Sequence, residues 1–153
     1  MEDVEKAYIA GLFDGEGCPS MSHSKYKRKG RERLYWNRSV FFVITNEDKR
    51  VLKEAISLLR RGRIYPSGEN AHNFMITKPS EIVEIAKLIQ PYVRVKKPDL
   101  DNLRCASEFL LRIRGSGKRH TWTEEEENEF HRFCKINEAL KGGKGGRPRI
   151  HPL

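Results

Sequence analysis

Cysteine is scarce and poorly placed for cross-linking. The 153-residue chain has three, Cys18, Cys105 and Cys134, an odd number without Cys-x-x-Cys spacing, which argues against a disulfide framework and against a zinc site. His131 and Cys134 fall on one helix face, but two donors do not make a structural zinc site, which takes four. The five histidines are expected as satisfied or surface side chains. No apolar run approaches the roughly 20 residues that span a bilayer, so no membrane partner is expected. The opening Met1-Glu2-Asp3-Val4-Glu5-Lys6 is acidic and lacks an apolar stretch. Neither a secretory signal nor an Arg-rich transit peptide is expected there. The expected location is therefore intracellular: cytoplasm, nucleoid or the organelle of synthesis. Acid is also in short supply, with 21 Asp+Glu against 30 Lys+Arg and a net charge of +9. Such a chain suits a polyanion, nucleic acid ahead of an anionic membrane surface.

The hydropathy pattern alternates between two periods. Residues 3–14 read as a helix ending at Gly15 and Gly17. Residues 18–29 and 33–45 read as long strands, with Gly30 at the turn. In the second strand Leu34, Trp36, Val40, Phe42 and Ile44 alternate with Arg33, Tyr35, Asn37 and Ser39, and Arg38 is the exception on the apolar side. Asn46-Glu47-Asp48 opens a second helix, with Asn46 as the expected N-cap. Its apolar stripe runs through Val51, Leu52, Ala55, Ile56 and Leu59. A shorter hairpin follows, 62–67 and 73–77 around Gly68-Glu69-Asn70. Pro79 begins a third helix. The core is thus helix-hairpin-helix-hairpin-helix, an α/β chain of the α+β kind.

Most informative is Ile9-Ala10-Gly11-Leu12-Phe13-Asp14-Gly15-Glu16-Gly17. An apolar helix with small residues runs into an acidic, Gly-flanked end, where the helix macrodipole disfavours negative charge. A local rule broken this way points to function or to a compensating partner. The stretch resembles the signature of the LAGLIDADG homing endonucleases, with Phe13 for an aliphatic and Glu16 for the usual Asp. Looser markers agree: Thr45-Asn46 running into the second helix, and Gln90-Pro91-Tyr92-Val93-Arg94-Val95-Lys96-Lys97. The resemblance covers roughly residues 5–110 by eye. It implies an antiparallel four-stranded saddle over DNA, with helices behind it.

The resemblance also implies a mechanism. One-motif chains of the family are homodimers. Here Ala7, Ala10, Gly11 and Asp14 fall at helical spacing, a strip along which two motif helices can pack. A twofold axis there brings two Glu16 side chains together and predicts a near-palindromic DNA site. Glu16 stands where the family carries its metal-binding carboxylate, and Gly15 is grouped with it as a metal-site residue. The implied ion is Mg²⁺, with Mn²⁺ able to substitute, because a hard cation with one or two carboxylates leaves positions for water and phosphate. Lys96, with Lys97 as its off-by-one rival, is implied near the scissile phosphate. Asn46 and Arg50, the latter with Lys49 as rival, are implied in a solvent network. Asp14 reads as a structural helix-end residue.

Base readout is expected from the polar strand faces. If Glu16 sets the phase, Ser20, Ser22, Ser24, Tyr26 and Arg28 share a face. Arg33, Tyr35, Asn37 and Ser39 join them from the second strand, and Arg63, Tyr65, Ser67 and Asn73 from the short hairpin. Lys25, Lys27, Lys29 and Arg31 read as phosphate contacts.

The C-terminal third departs from the core. A helix follows Pro98, the core is expected over 1–111, and 112–120 reads as a basic linker. Thr123-Glu124-Glu125-Glu126 is a capping box opening a helix over 121–141. The tail, 142–153, is AT-hook-like, with Arg147 and Arg149 as minor-groove candidates. The expected function is a site-specific, intron-borne double-strand DNA homing endonuclease. The alternative is an RNA maturase or a DNA-binding regulator on the same fold, with RNA a partner only in the maturase case.

Overall fold

The computed structural model describes residues 1–115 and 120–142. Its elements are α1 (Asp3–Glu16), β1 (Ser20–Lys27), β2 (Leu34–Asn46), α2 (Lys49–Leu59), β3 (Arg63–Ser67), β4 (Ala71–Ile76), α3 (Pro79–Ile89), α4 (Lys97–Arg114) and α5 (Glu124–Leu140). The four strands form one antiparallel sheet in the order β1-β2-β4-β3. This is the α+β order anticipated from the hydropathy pattern, with β3 and β4 ending near the expected turn at Gly68.

One sheet face is apolar and covered. Val40, Phe42 and Ile44 of β2, with Phe74 and Ile76 of β4, are all but fully buried. The α1 residue Phe13 stacks on Phe42 at 5.1 Å, and Phe74 meets Phe42 edge-on at 6.3 Å. Ile82, Ile85 and Ile89 of α3 and Leu100, Leu103 and Leu110 of α4 complete the same core. No described helix is long and apolar enough to cross a membrane.

Several local expectations are corrected. The motif helix continues through Gly15 and Glu16 and stops at Gly17, which is extended (φ −71°, ψ 138°) rather than left-handed. A Cβ on Gly17 would lie 2.4 Å from the Phe13 carbonyl oxygen and 2.5 Å from its ring. Close approach, not backbone freedom, requires glycine here. The chain then runs beside β2, with a Gly17–Ile44 bridge and the Cys18 N–H donating to Val43 O at 2.9 Å. The N-cap of α2 is Asp48, whose carboxylate accepts the Arg50 N–H. Asn46 instead accepts the Asp48 N–H at 2.8 Å.

The C-terminal third belongs to the same core. α4 runs through Arg114 and buries Ile113, so residues 112–114, expected in a basic linker, are helical. α5 opens on the expected capping box of Thr123 and Glu126. It buries Phe130 and Cys134 against α4 and β1. Burial pushes the Cys134 thiol up to about 11, which marks it as a packed thiol. Arg38, the exception in the β2 pattern, is explained by α5. Its guanidinium pairs with Glu127 and lies between Trp36 and Trp122, 4.9 and 4.2 Å from their ring centres. Glu127 also bonds His23 Nε2 at 2.7 Å. Glu127 therefore serves this cluster, while its neighbour Glu126 serves the cap. Arg147 and Arg149 lie outside the described residues.

Candidate nuclease site at the end of the motif helix

The two carboxylates at the end of α1 have separate surroundings. Asp14 accepts three backbone N–H groups from the turn before α4: Arg94 at 2.8 Å, Val95 at 3.1 Å and Lys96 at 2.9 Å. Partial burial works against its charge. The three amides and the Lys96 ammonium outweigh that and hold the carboxyl below the usual range. The side chain thus fixes the turn that leads into α4, whose N-cap residue, Lys96, makes no side-chain cap bond. Glu16, two residues on, is exposed and has no hydrogen-bond or ion-pair partner among the described residues.

Lys96 joins these two positions. Its backbone is held by Asp14, and its Nζ donates to the Gly17 carbonyl oxygen at 2.6 Å. The cation sits at the negative end of α1, a helix without a basic residue in its last turn. Lys97 is exposed and belongs to the first turn of α4. The broken dipole rule therefore has a compensating partner in space, 79 residues away in sequence.

Glu16 opens onto a shallow cavity of about 380 Å³ shared with Thr45, Asn46, Glu47 and Ala71. Asn46 spends its Oδ1 on the Asp48 N–H, which leaves its NH₂ as the available donor. Arg50 is not on this cavity. It forms a two-pronged pair with Asp48 (Nε–Oδ1 3.0 Å, Nη2–Oδ2 2.8 Å) that brings the Asp48 carboxyl down to about 2. His72, opposite Asn46 in the sheet register, keeps a buried Nδ1 without a partner among the described residues. No sequence pattern singled it out.

The uncovered sheet face follows from register. Opposed residues of an antiparallel pair share a face. Ser22 opposes Ser39, Ser24 opposes Asn37, and Tyr26 opposes Tyr35. Tyr65 opposes Asn73, Ser67 opposes Ala71, and Thr45 also opposes Asn73. With Ser20 and Arg63 in the same phase, these form one polar surface leading away from Glu16. Asn37 donates to Ser22 Oγ at 3.1 Å, and Thr45 donates to Asn73 Oδ1 at 2.7 Å. Arg28 and Arg33 lie beyond the strand ends, over the Tyr35 ring at 4.5 and 5.7 Å. Lys27 opposes Leu34 and so points to the other face, away from the readout residues, in keeping with its grouping among the expected phosphate contacts.

The small-residue strip on α1 also needs correcting. Ala10 is fully buried in the protomer's own core and offers nothing to a second copy. Asp14 is engaged by the 94–96 turn. The exposed strip is instead Val4, Ala7, Tyr8, Gly11 and Gly15. A Cβ on Gly11 or Gly15 would meet nothing within 4 Å, so packing inside the protomer does not account for either glycine. Each costs about 1 kcal/mol of helix stability relative to Ala.

The sheet and the chain order have known counterparts. A family profile described as LAGLIDADG endonuclease matches residues 9–104. No curated protein matches the sequence. Among solved structures, the homing endonuclease I-CvuI, in complex with its target in the presence of calcium, gives a TM-score of 0.71 at 14% identity. That match covers 93% of this chain and 85% of the other. The homing endonuclease I-TnaI gives 0.69 at 16% identity, over 96% and 92%. The LAGLIDADG meganuclease I-AabMI, bound to uncleaved DNA, gives 0.66 at 21% identity, over 90% of this chain and 45% of its own length. At these identities the structural likeness speaks for the fold.

Proposed function

The chain belongs to the LAGLIDADG endonuclease family, and from that premise we propose that it is a homodimeric, metal-dependent homing endonuclease that cuts both strands of a long, near-palindromic DNA duplex. The observation that carries the reading is the division of labour at the end of α1. Asp14 is consumed by structure, whereas Glu16 is exposed and unpaired beside Asn46 at one end of a polar sheet face.

The donor set suits Mg²⁺ or Mn²⁺. Among the described residues no group of three or more His, Cys, Asp or Glu is placed to hold a metal, so a closed, all-protein cage is excluded there. A lone carboxylate with carbonyl oxygens near it fits a hard cation that keeps water and phosphate in its shell. Glu16 would hold the ion, with the Gly15 carbonyl as a neighbouring oxygen. The bound ion supplies charge neutralisation on the phosphate and a more acidic water.

The chain's own groups do the rest. Lys96 offsets the negative end of α1 and keeps a cation next to Glu16, where charge grows on the phosphate. Asp14 fixes the backbone that carries Lys96. The Asn46 NH₂ orders water or a phosphate oxygen on the shared cavity. Arg50 is left as a backbone-phosphate contact. The polar faces of the two hairpins read base edges in the major groove, which a β-ribbon fits.

Two copies are needed because two phosphates must be cut. Gly11 and Gly15 on the exposed strip let two motif helices approach closely, and such a contact is isologous, which matches a near-palindrome.

The test incubates the protein with a pool of sequenced duplex fragments and Mg²⁺ and maps new ends, with EDTA and Glu16→Gln beside it. Recurrent double-strand breaks at one near-palindromic site, absent in both controls, are expected. Binding without breaks at any temperature tried, with Mn²⁺ also supplied, would replace this reading with a maturase or DNA-binding regulator.

A further inference from the structure

A second basic site lies at the outer edge of the sheet, where α2 turns into β3. Arg60, Arg61, Arg63 and Lys78 surround a concavity of about 440 Å³, with Glu81 the only acid on its wall. Two of the four cations are already neutralised. Arg61 pairs with Glu84 and donates to the Leu59 carbonyl at 3.3 Å. Lys78 lies 3.5 Å from Glu81. Arg60 and Arg63 have no carboxylate or carbonyl partner among the described residues.

Arg60 is also in an unusual backbone state. It caps α2 in the left-handed region (φ 54°, ψ 31°), and it is the only non-glycine with positive φ among the described residues. That position favours glycine, and any L side chain there is disfavoured. An arginine with no partner inside the protein, held where glycine would fold better, breaks a local rule without a structural gain. The turn around it is firm. Gly62, at φ 95°, leaves no room for a Cβ, which would lie 2.2 Å from the Phe74 ring.

The concavity is continuous with the polar sheet face. Arg63 and Tyr65 line it, and both belong to that face through their pairing with Met75 and Asn73. Four strands at about 4.8 Å spacing are roughly 14 Å across, close to the roughly 12 Å width of the B-DNA major groove. A duplex seated on the sheet therefore runs its sugar-phosphate backbones along the sheet margins. β3 is one of those margins, and the unpaired guanidiniums lie on it.

We propose that the Arg60–Arg63–Lys78 concavity is a seat for the DNA backbone, contacting phosphate and not bases, and that Arg63, expected from the strand pattern to read a base edge, serves this seat instead. Arg60 and Arg63 supply both the donors and the free charge, and the ion-paired Arg61 and Lys78 frame them. This rests on the duplex-binding reading above and adds a contact that raises affinity for any sequence. Guanidinium forks suit phosphate oxygens, and each phosphate neutralised releases condensed counterions.

The test is fluorescence anisotropy of two labelled duplexes of unrelated sequence, titrated from 50 to about 300 mM KCl. Wild type, Arg60→Gly, Arg63→Gln and Lys135→Gln are compared, with thermal melting of each. Lys135 is on α5, away from the sheet face, and controls for the lost charge. Arg60→Gly is expected to melt at or above the wild-type temperature. It should nevertheless bind both duplexes several-fold more weakly, with the slope of log K against log salt reduced by about 1. Arg63→Gln should behave alike in binding, and Lys135→Gln should leave slope and affinity unchanged. Wild-type affinity and slope in Arg60→Gly, with wild-type binding in place, would overturn the seat. So would a loss confined to one of the two duplexes. If wild type itself bound no duplex, the reading beneath it would fall first.

Discussion

Replacing Asp14 with Asn removes one negative charge and one acceptor from a clasp of three backbone N–H groups at 2.8, 3.1 and 2.9 Å. A hydrogen bond to a charged group contributes about 1.5–3 kcal/mol. The three share one partly exposed side chain and do not add, so the expected loss is about 2 kcal/mol. For a domain of this size that lowers Tm by about 4–8 °C. The pH dependence has a fixed sign. The folded carboxyl titrates below its unfolded value of about 3.9. Its stabilisation is therefore complete above that value and is lost as the pH falls through the folded one. Asp14→Asn should remove that part of the acid sensitivity. Glu16→Gln is the matched control. It deletes an unpaired carboxylate from the negative end of α1, so Tm should stay level or rise slightly. Scanning calorimetry of the three proteins from pH 3 to 7 decides the matter. If Asp14→Asn melts with the wild type while Glu16→Gln loses several degrees, the assignment of structure to Asp14 and function to Glu16 is wrong.

Three further outcomes are expected. Gly17→Ala should cost about 1–3 kcal/mol in urea titration, because its Cβ would overlap Phe13 backbone and ring. Glu127→Gln should cost about 2–3 kcal/mol at pH 7, since it strips Arg38 and His23 of a shared, largely buried partner. Burial opposes the Glu127 charge, but the Arg38 and His23 bonds hold its carboxyl low. The wild-type advantage over the variant should therefore shrink as the pH falls through that lowered value. Lys96→Met should retain duplex binding within a few-fold and lose most cleavage, read by gel-resolved cutting of a mapped site.

What sequence could show, and what it could not, follows the range of the interactions. The motif, both hairpins and the polar strand faces depend on neighbours in sequence or on period two, and they were legible. Arg38 was visible only as a misfit, because its explanation, Glu127, is 89 residues away. The Asp14 clasp and the Lys96 bond to Gly17 close comparable distances, and their one local trace was the acid at the negative end of α1, which pointed to a partner without naming it. The helix strip was misread by a fraction of a turn. Position 10 turns into the core with Ile9 and Phe13, while positions 4, 8, 11 and 15 turn out. Arg60 had no signal at all, since a left-handed arginine looks like any other arginine at a helix end.

The role proposed for Glu16 is in chemistry and not in binding or folding. Single-turnover cleavage of a mapped site, at protein concentrations that saturate the duplex for both wild type and Glu16→Gln, tests it most directly. Duplex affinity within a few-fold and a cleavage rate lower by at least about a hundredfold are expected in the variant. A variant that binds as well and cuts at the wild-type rate would contradict it.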